Sequence, residues 1–185
     1  MVLKKLLNEG ASPDDPAWWV VEEGQSGRTT CREDFIEGDR NGLRQLMPIL
    51  ESHKPIDLVA VMLGTNDLKL RFNATAYDIA RGVKNIAVAI GKTDLAPGGR
   101  PPRVLVICPP PTVSSSALHH LFGDCVELSG NLPKFYQALA LEAGADFLDA
   151  GKFIKSSELD GIHLDASEHL KLAEAVAEKI RSMGL

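Results

Sequence analysis

The chain has 185 residues, of which 44% are hydrophobic and 24% charged, and this ordinary globular composition fits one domain with a sizeable core. The formal net charge of -5 and the lack of clustered lysine and arginine argue against a nucleic-acid-binding surface. No apolar run approaches the roughly 20 residues of a membrane-spanning helix, and residues 1–20 contain no signal-peptide core, so we predict a cytoplasmic protein without a membrane partner.

The N-terminal part of the chain predicts a helix, a strand and a second helix. Residues 2–7 carry leucines at helical spacing, and Gly10 follows as a C-cap. The apolar run at residues 18–21 predicts a strand that ends in a glycine-bearing loop around Gly27. A helical period over residues 41–52 then leads directly into the next strand.

That next strand, at residues 58–63, is continuously apolar and ends abruptly in Gly-Thr-Asn-Asp. An uninterrupted apolar run is typical of a strand that helices cover on both faces, so we predict a central parallel strand. Its loop falls at the carboxyl edge of the sheet, where open α/β sheets bind ligands. Asn66 can present an amide there, and Asp67 is expected to fix its own loop by hydrogen bonds.

Strands and helices continue to alternate along the rest of the chain. We predict a capped amphipathic helix over 75–90, a buried strand over 104–108, a helix over 132–143, a short strand over 145–148 and a last helix over 166–182. Residues 112–128 have no clear pattern. The alternation predicts an α/β fold with a parallel sheet.

Asp160 and His163 lie three residues apart in the loop before the last helix. A turn can bring the two side chains together, so that the carboxylate holds the imidazole Nδ1–H and leaves Nε2 free as a base. The pattern is weak alone, because Asp-x-x-His arises often by chance. In the alternative, Asp160 caps a turn and His163 is a solvated loop residue.

Three segments in this order, EEGQSGRTT, VMLGTNDLK and DGIHLDASEH, resemble the SGNH (GDSL) hydrolase superfamily, in its arylesterase and acyltransferase branch. The resemblance implies a three-layer α/β/α fold with a flavodoxin-like sheet of strand order 2-1-3-4-5. It also implies Gly27 and Asn66 as oxyanion donors and Asp160 and His163 as triad members. The substrate would be a small-molecule ester, and neither a metal nor an organic cofactor is implied.

The chain departs from the family at the nucleophile, because it contains no Gly-Asp-Ser. Ser26 lacks the nucleophile-elbow pattern, and the serines at 114–116 have nothing nearby to activate them. We therefore expect residues 1–185 to form a single but N-terminally incomplete domain that lacks the first central strand and is inactive as it stands. Whether this is a truncation or a real loss stays open, as does an upstream signal.

The alternative function is a non-catalytic SGNH-fold protein with weak ester or carbohydrate binding. Arg28 has two interpretations: it contacts a substrate or partner, or it is a surface residue. His119 and His120 either line an acyl pocket or a subunit interface, or they lie in a mobile surface loop. His53 and His169 are expected to face solvent. Assembly into a homo-oligomer is left open.

Overall fold

The computed structural model describes residues 2–12, 14–15 and 17–185. The elements are α1 (Val2–Leu7), α2 (Gly42–His53), β1 (Leu58–Val61), α3 (Ala76–Ile90), β2 (Arg103–Cys108), α4 (His119–Phe122), α5 (Val126–Gly130), α6 (Leu132–Glu142), β3 (Asp146–Asp149) and α7 (Ala166–Ser182). Short 3-10 turns cover Thr65–Leu68, Leu70–Phe72 and Ala150–Lys152. Across the described ranges, no helix combines the length and apolar character needed to cross a bilayer.

The three strands form a parallel sheet of order β1-β2-β3, with Val104 of β2 beside Val59 and Ile107 beside Leu148. Successive residues of β2 point to opposite faces, as strand geometry requires. Val104 and Val106 pack into a core formed with α2, α3 and α6, whereas Leu105 and Ile107 pack against α1 and α7. The predicted α/β class, with helices on both faces of a parallel sheet, is confirmed.

Local signals account for the helix bounds. Thr75 and Asp78 form a capping box at the start of α3, since each side chain accepts the other residue's backbone N–H at 3.1 Å. Asn41 starts α2 by accepting the amide of Arg44. The unassigned stretch at 112–128 contains α4 and the start of α5, which span only four and five residues and so give no readable period.

The predicted strand at residues 18–21 is wrong. Trp18 and Val20 pack against the core beside α7, which explains the apolar pattern, but the segment pairs with no strand among the described residues. Instead, the Asn8 side chain accepts the Trp18 N–H at 2.8 Å and donates to the Trp18 carbonyl at 3.0 Å. The apolar pattern therefore reflects the burial of side chains in this segment and does not indicate that its backbone pairs with a strand.

The predicted central position of β1 is also wrong, because β1 lies at an edge of the sheet and β2 occupies the centre. β1 pairs with β2 on one side, and the described residues provide no strand on its other side. Ala60, in the middle of β1, is consequently exposed. The resemblance implies a family sheet of strand order 2-1-3-4-5. The observed order β1-β2-β3 agrees with family strands 3, 4 and 5.

Gly64 turns the chain out of β1 into the loop that carries Asn66. Its φ is +121°, a value that side-chain-bearing residues rarely adopt. The Tyr136 hydroxyl, which donates to Leu63 O at 2.8 Å, occupies the space that a Cβ on Gly64 would need. The turn therefore requires glycine for both its backbone angle and its packing.

We expect Gly64→Ala to lower the free energy of unfolding by about 2 kcal/mol or more beyond Gly144→Ala. Gly144 is the matched control, because its φ of +70° imposes backbone strain on alanine while no atom lies within 4 Å of the new Cβ. Urea denaturation of both variants measures the difference. Equal losses would show that the contact with Tyr136 has no energetic importance.

Candidate active site

Asp160 and His163 form the hydrogen-bonded pair that their spacing suggested. His163 Nδ1 lies 2.7 Å from Asp160 Oδ2, and the other carboxylate oxygen accepts the amides of Ile162 and His163 at 2.9 Å each. The His163 side chain is 73% exposed, and among the described residues its Nε2 has no hydrogen-bond partner. The carboxylate thus orients the imidazole and leaves Nε2 facing solvent.

The surroundings of Asp160 keep its carboxyl group ionised. Burial by itself would raise the pKa of Asp160, but the amides of His163 and Ile162 and the imidazole ring donate hydrogen bonds that outweigh it. The net result is a pKa below the usual range for aspartate. A stable negative charge at this position favours the Nδ1–H tautomer of His163, which makes Nε2 the basic nitrogen.

Asn66 and Gly27 come from two different loops that touch. Asn66 Nδ2 donates to the carbonyl of Arg28 at 3.2 Å, which uses one of its two amide hydrogens. Gly27 has a φ of +79°, and a Cβ there would overlap the Glu37 carboxylate. In the described part of the chain no group accepts the Gly27 N–H. The Asn66 amide therefore lies beside the residue that follows Gly27.

Asp67 joins these two loops. Its carboxylate is fully buried and accepts the Thr30 backbone N–H at 2.9 Å and the Thr30 hydroxyl at 2.6 Å, while Arg32 Nε lies 3.8 Å away. Burial raises the pKa of Asp67 to about 6, although the bonds from Thr30 act in the opposite direction. The expectation that Asp67 fixes its own loop is wrong for the carboxylate, which fastens the neighbouring loop instead.

A second set of charges holds the outer part of the Gly27 loop. Asp34 is buried and its carboxylate accepts hydrogen bonds from the amides of Ile36 and Glu37 and, at 2.6 Å, from the guanidinium group of Arg71. Lys69 is only 4% exposed and donates to Glu37, and this bond is the main cause of the lowered pKa of Glu37. Residues on the loop after β1 thus clamp the Gly27 loop over the carboxyl edge.

The two halves of the candidate site share one edge of the sheet. Asn66 follows β1 and Asp160 follows β3, and both strands run parallel to β2 between them. Two strand spacings separate β1 from β3, or about 10 Å at the level of the sheet. The Val113 amide, in the loop after β2, donates to Gly161 O at 3.0 Å. This bond connects the loop that carries the Asp160–His163 dyad, the dyad loop, to this edge.

The serines considered as nucleophiles do not contact the dyad. Ser26 is exposed, and among the described residues none of the serine hydroxyls bonds to the His163 ring. Ser115 donates to Leu159 O at 3.4 Å and lines a cavity of about 100 Å³ beside Asp160 and His119. The described residues therefore place the Asp160–His163 pair and the candidate oxyanion donors at one edge and include no serine hydrogen-bonded to the His163 ring.

The other candidates have mostly structural surroundings. Arg28 Nε contacts the side-chain oxygens of Gln25 and Gln45 at 3.2 Å each, and His53 pairs with Glu23 at 2.6 Å. His120 and His169 are exposed. Within the described residues, no group of three or more histidine, cysteine, aspartate or glutamate side chains is arranged to hold a metal ion.

Sequence reasoning missed the residues that hold these loops together. Thr30, Asp34 and Lys69 each bond to a charged residue more than 30 positions away, so no short motif marks these contacts. The one available signal was charge: Lys69 and Arg71 directly follow the Gly-Thr-Asn-Asp loop, and Asp34 and Glu37 follow the Gly27 loop.

Comparison with known proteins identifies close structural relatives. The model of the GDSL-like lipase/acylhydrolase family matches residues 3–171. Est24, a carbohydrate acetylesterase from Sinorhizobium meliloti, is 34% identical with a TM-score of 0.87, over 98% of this chain and 83% of that one. The aryl esterase of M. smegmatis is also 34% identical with a TM-score of 0.87, over 97% and 84%. A search of curated proteins found no match.

The buried carboxylate of Asp67 predicts a specific pH dependence of stability. Its pKa of about 6 in the folded protein exceeds the ordinary value of 3.8, so the folded state binds this proton more tightly than the unfolded chain. The resulting stabilisation is complete below about pH 4 and is lost as the pH rises through about 6. Asp67→Asn cannot titrate and lacks this contribution.

We therefore expect the free energy of unfolding of the unaltered chain, minus that of Asp67→Asn, to increase by up to about 3 kcal/mol between about pH 7 and pH 4. Urea denaturation at a series of pH values measures this difference. The other carboxylates are common to both chains and cancel. A difference that is constant, or that shrinks toward pH 4, would contradict the raised pKa.

Proposed function

Because the chain belongs to the GDSL-like lipase/acylhydrolase family of ester hydrolases, we propose that its carboxyl-edge residues form an SGNH-type esterase site. In this proposal His163 is the general base and acid, Asp160 orients it, and Asn66 and Gly27 donate to the oxyanion. The hydrogen bond between His163 Nδ1 and Asp160 is the observation that supports the proposal most strongly.

The chemistry of the proposed site follows from these positions. A serine hydroxyl attacks the ester carbonyl carbon while His163 Nε2 removes its proton, and the carbonyl electrons move to the oxygen. The Asn66 amide and the Gly27 N–H stabilise that charge, and one such donor is typically worth about 10² to 10³ in rate. The alcohol then leaves with the proton from His163, and water hydrolyses the acyl-serine by the same steps.

The serine is the component that residues 1–185 do not provide in a recognisable motif. We propose that a strand ending in Gly-Asp-Ser adds at the free edge of β1 and completes the site. Among the described residues β1 has no strand partner on its second side, and this open side and the exposed imidazole of His163 support the position. Without such a strand we expect the chain to be inactive, because it also lacks the backbone N–H of the nucleophile.

Small acyl esters are the proposed substrates. Est24 is a carbohydrate acetylesterase by name, and the M. smegmatis relative is an aryl esterase. Another solved S. meliloti structure, 32% identical with a TM-score of 0.88 over 99% of this chain and 87% of that one, is named a carbohydrate acetylesterase family member. These names suggest an acetyl group on a sugar or aryl alcohol. The second candidate function, non-catalytic ester or carbohydrate binding, is favoured by the lack of Gly-Asp-Ser.

Hydrolysis of p-nitrophenyl acetate tests the esterase proposal. We expect background rates for residues 1–185 and clear turnover when an apolar strand ending in Gly-Asp-Ser is fused to the chain, because the fusion supplies the nucleophile. His163→Ala in the fusion should lower kcat by at least about 10³-fold.

Two matched controls accompany this experiment. A fusion ending in Gly-Asp-Ala should stay at background, and His169→Ala, which changes an exposed histidine on α7, should leave kcat unaltered. If the unfused chain turns over at enzymic rates and Ser26→Ala removes the activity, Ser26 is the nucleophile and the proposed strand addition is wrong. Folded but inactive fusions would favour the non-catalytic function.

A further inference from the structure

The dyad loop is closed by nested hydrogen bonds that centre on Ser157. The Ser157 amide donates to His163 O at 2.7 Å, and the Ser157 carbonyl accepts the Gly161 amide at 2.8 Å. One step further out, the buried Glu168 accepts the amide of Lys155 at 3.0 Å. The backbone of Ser157, which precedes Asp160, is therefore bonded to two residues that follow Asp160.

The side chain of Ser157 adds a link across the base of this loop. Ser157 is 4% exposed, and its hydroxyl donates to Asp165 Oδ1 at 2.8 Å and accepts the Leu159 amide at 3.2 Å. Asp165 is the N-cap residue of α7, yet within the described residues its carboxylate accepts no amide of that helix. The Asp165 carboxylate instead accepts the hydrogen bond from the Ser157 hydroxyl, and this bond links the start of the loop to the start of α7.

Apolar packing contributes little to holding this loop. Leu159 is 82% exposed and the His163 side chain 73%, and Ile162 alone in residues 158–163 packs against the core. Since few apolar contacts fix the turn, its geometry depends on hydrogen bonds and on the contact from Val113 to Gly161. Ser157 is buried and all its polar groups are hydrogen-bonded, so its contacts are well placed to determine the shape of this loop.

We propose that Ser157 is a positioning residue whose hydroxyl, bonded to Asp165, holds the loop in the shape that aligns Asp160 with His163. The purpose of that alignment rests on the proposed function, whereas the alignment itself can be measured without substrate. Loss of the Ser157 hydroxyl would loosen the turn, and the amides of Ile162 and His163 would then point less well at the Asp160 carboxylate.

The test compares Ser157→Ala with Ser156→Ala in the 185-residue chain. Ser156 is the matched control, because it is also buried and its hydroxyl makes one bond, to Pro111 O at 2.9 Å outside the dyad loop. NMR spectroscopy follows amide hydrogen exchange of His163 and the titration of the Asp160 carboxyl. His119 and Asp124, which line the cavity beside Asp160, are present in every variant.

We expect Ser157→Ala to speed exchange of the His163 amide about tenfold or more and to raise the pKa of Asp160 toward its ordinary value. Ser156→Ala should change neither. If both variants lose similar stability and neither moves the Asp160 titration, Ser157 is only a structural serine and the proposal is overturned.

Asp165 provides a second approach should Ser157→Ala fail to fold. Asp165→Ala removes the acceptor and should also speed His163 exchange, whereas Asp165→Asn retains an acceptor oxygen and should not. Equal exchange in these two variants would contradict the proposal. An inactive Gly-Asp-Ser fusion would overturn the catalytic purpose of the dyad but leave these exchange results standing, so the two failures are distinguishable.

Discussion

The buried carboxylate of Asp67 is the interaction on which the candidate site depends. It is the only charged side chain among the described residues that joins the Thr30 backbone to the turn after β1. A carboxylate costs free energy to bury, as its raised pKa shows, and the cost is partly offset by the two hydrogen bonds from Thr30 and by the nearby charge of Arg32. Together with the bond from Asn66 to Arg28 O, this contact sets the position of the Gly27 loop relative to Asn66.

The two halves of the site are held by different means. On the Asn66 side, Gly64 is packed under the Tyr136 hydroxyl, and α3 and α6 press against the same face of the sheet, so dense packing fixes the geometry. On the other side, Asp160 and His163 lie in a loop of exposed side chains shaped by hydrogen bonds. The Asn66 side is thus held by dense packing as well as by the contacts of Asp67 with Thr30, whereas the loop of Asp160 and His163 depends mainly on hydrogen bonds.

Much of the architecture could be predicted from local patterns. The bounds of α7 and the capping box at Thr75 were predicted as they occur, since helix period and caps are local signals. The strand at residues 18–21 and the central position of β1 were not, because strand pairing depends on partners distant in sequence. Asp160 and His163 were suggested by their spacing together with the family resemblance, whereas Ser157 and Thr30 act through contacts that leave no motif.

The central claim is that His163 activates a serine that enters beside β1. Covalent labelling with phenylmethanesulfonyl fluoride, mapped by peptide mass spectrometry, tests it directly because the reagent reports which serine is nucleophilic. The account predicts label on the serine of a fused Gly-Asp-Ser strand, dependent on His163, and none on the chain's own serines. Rapid labelling of Ser26 or of a serine at 114–116 in the unfused chain would contradict it.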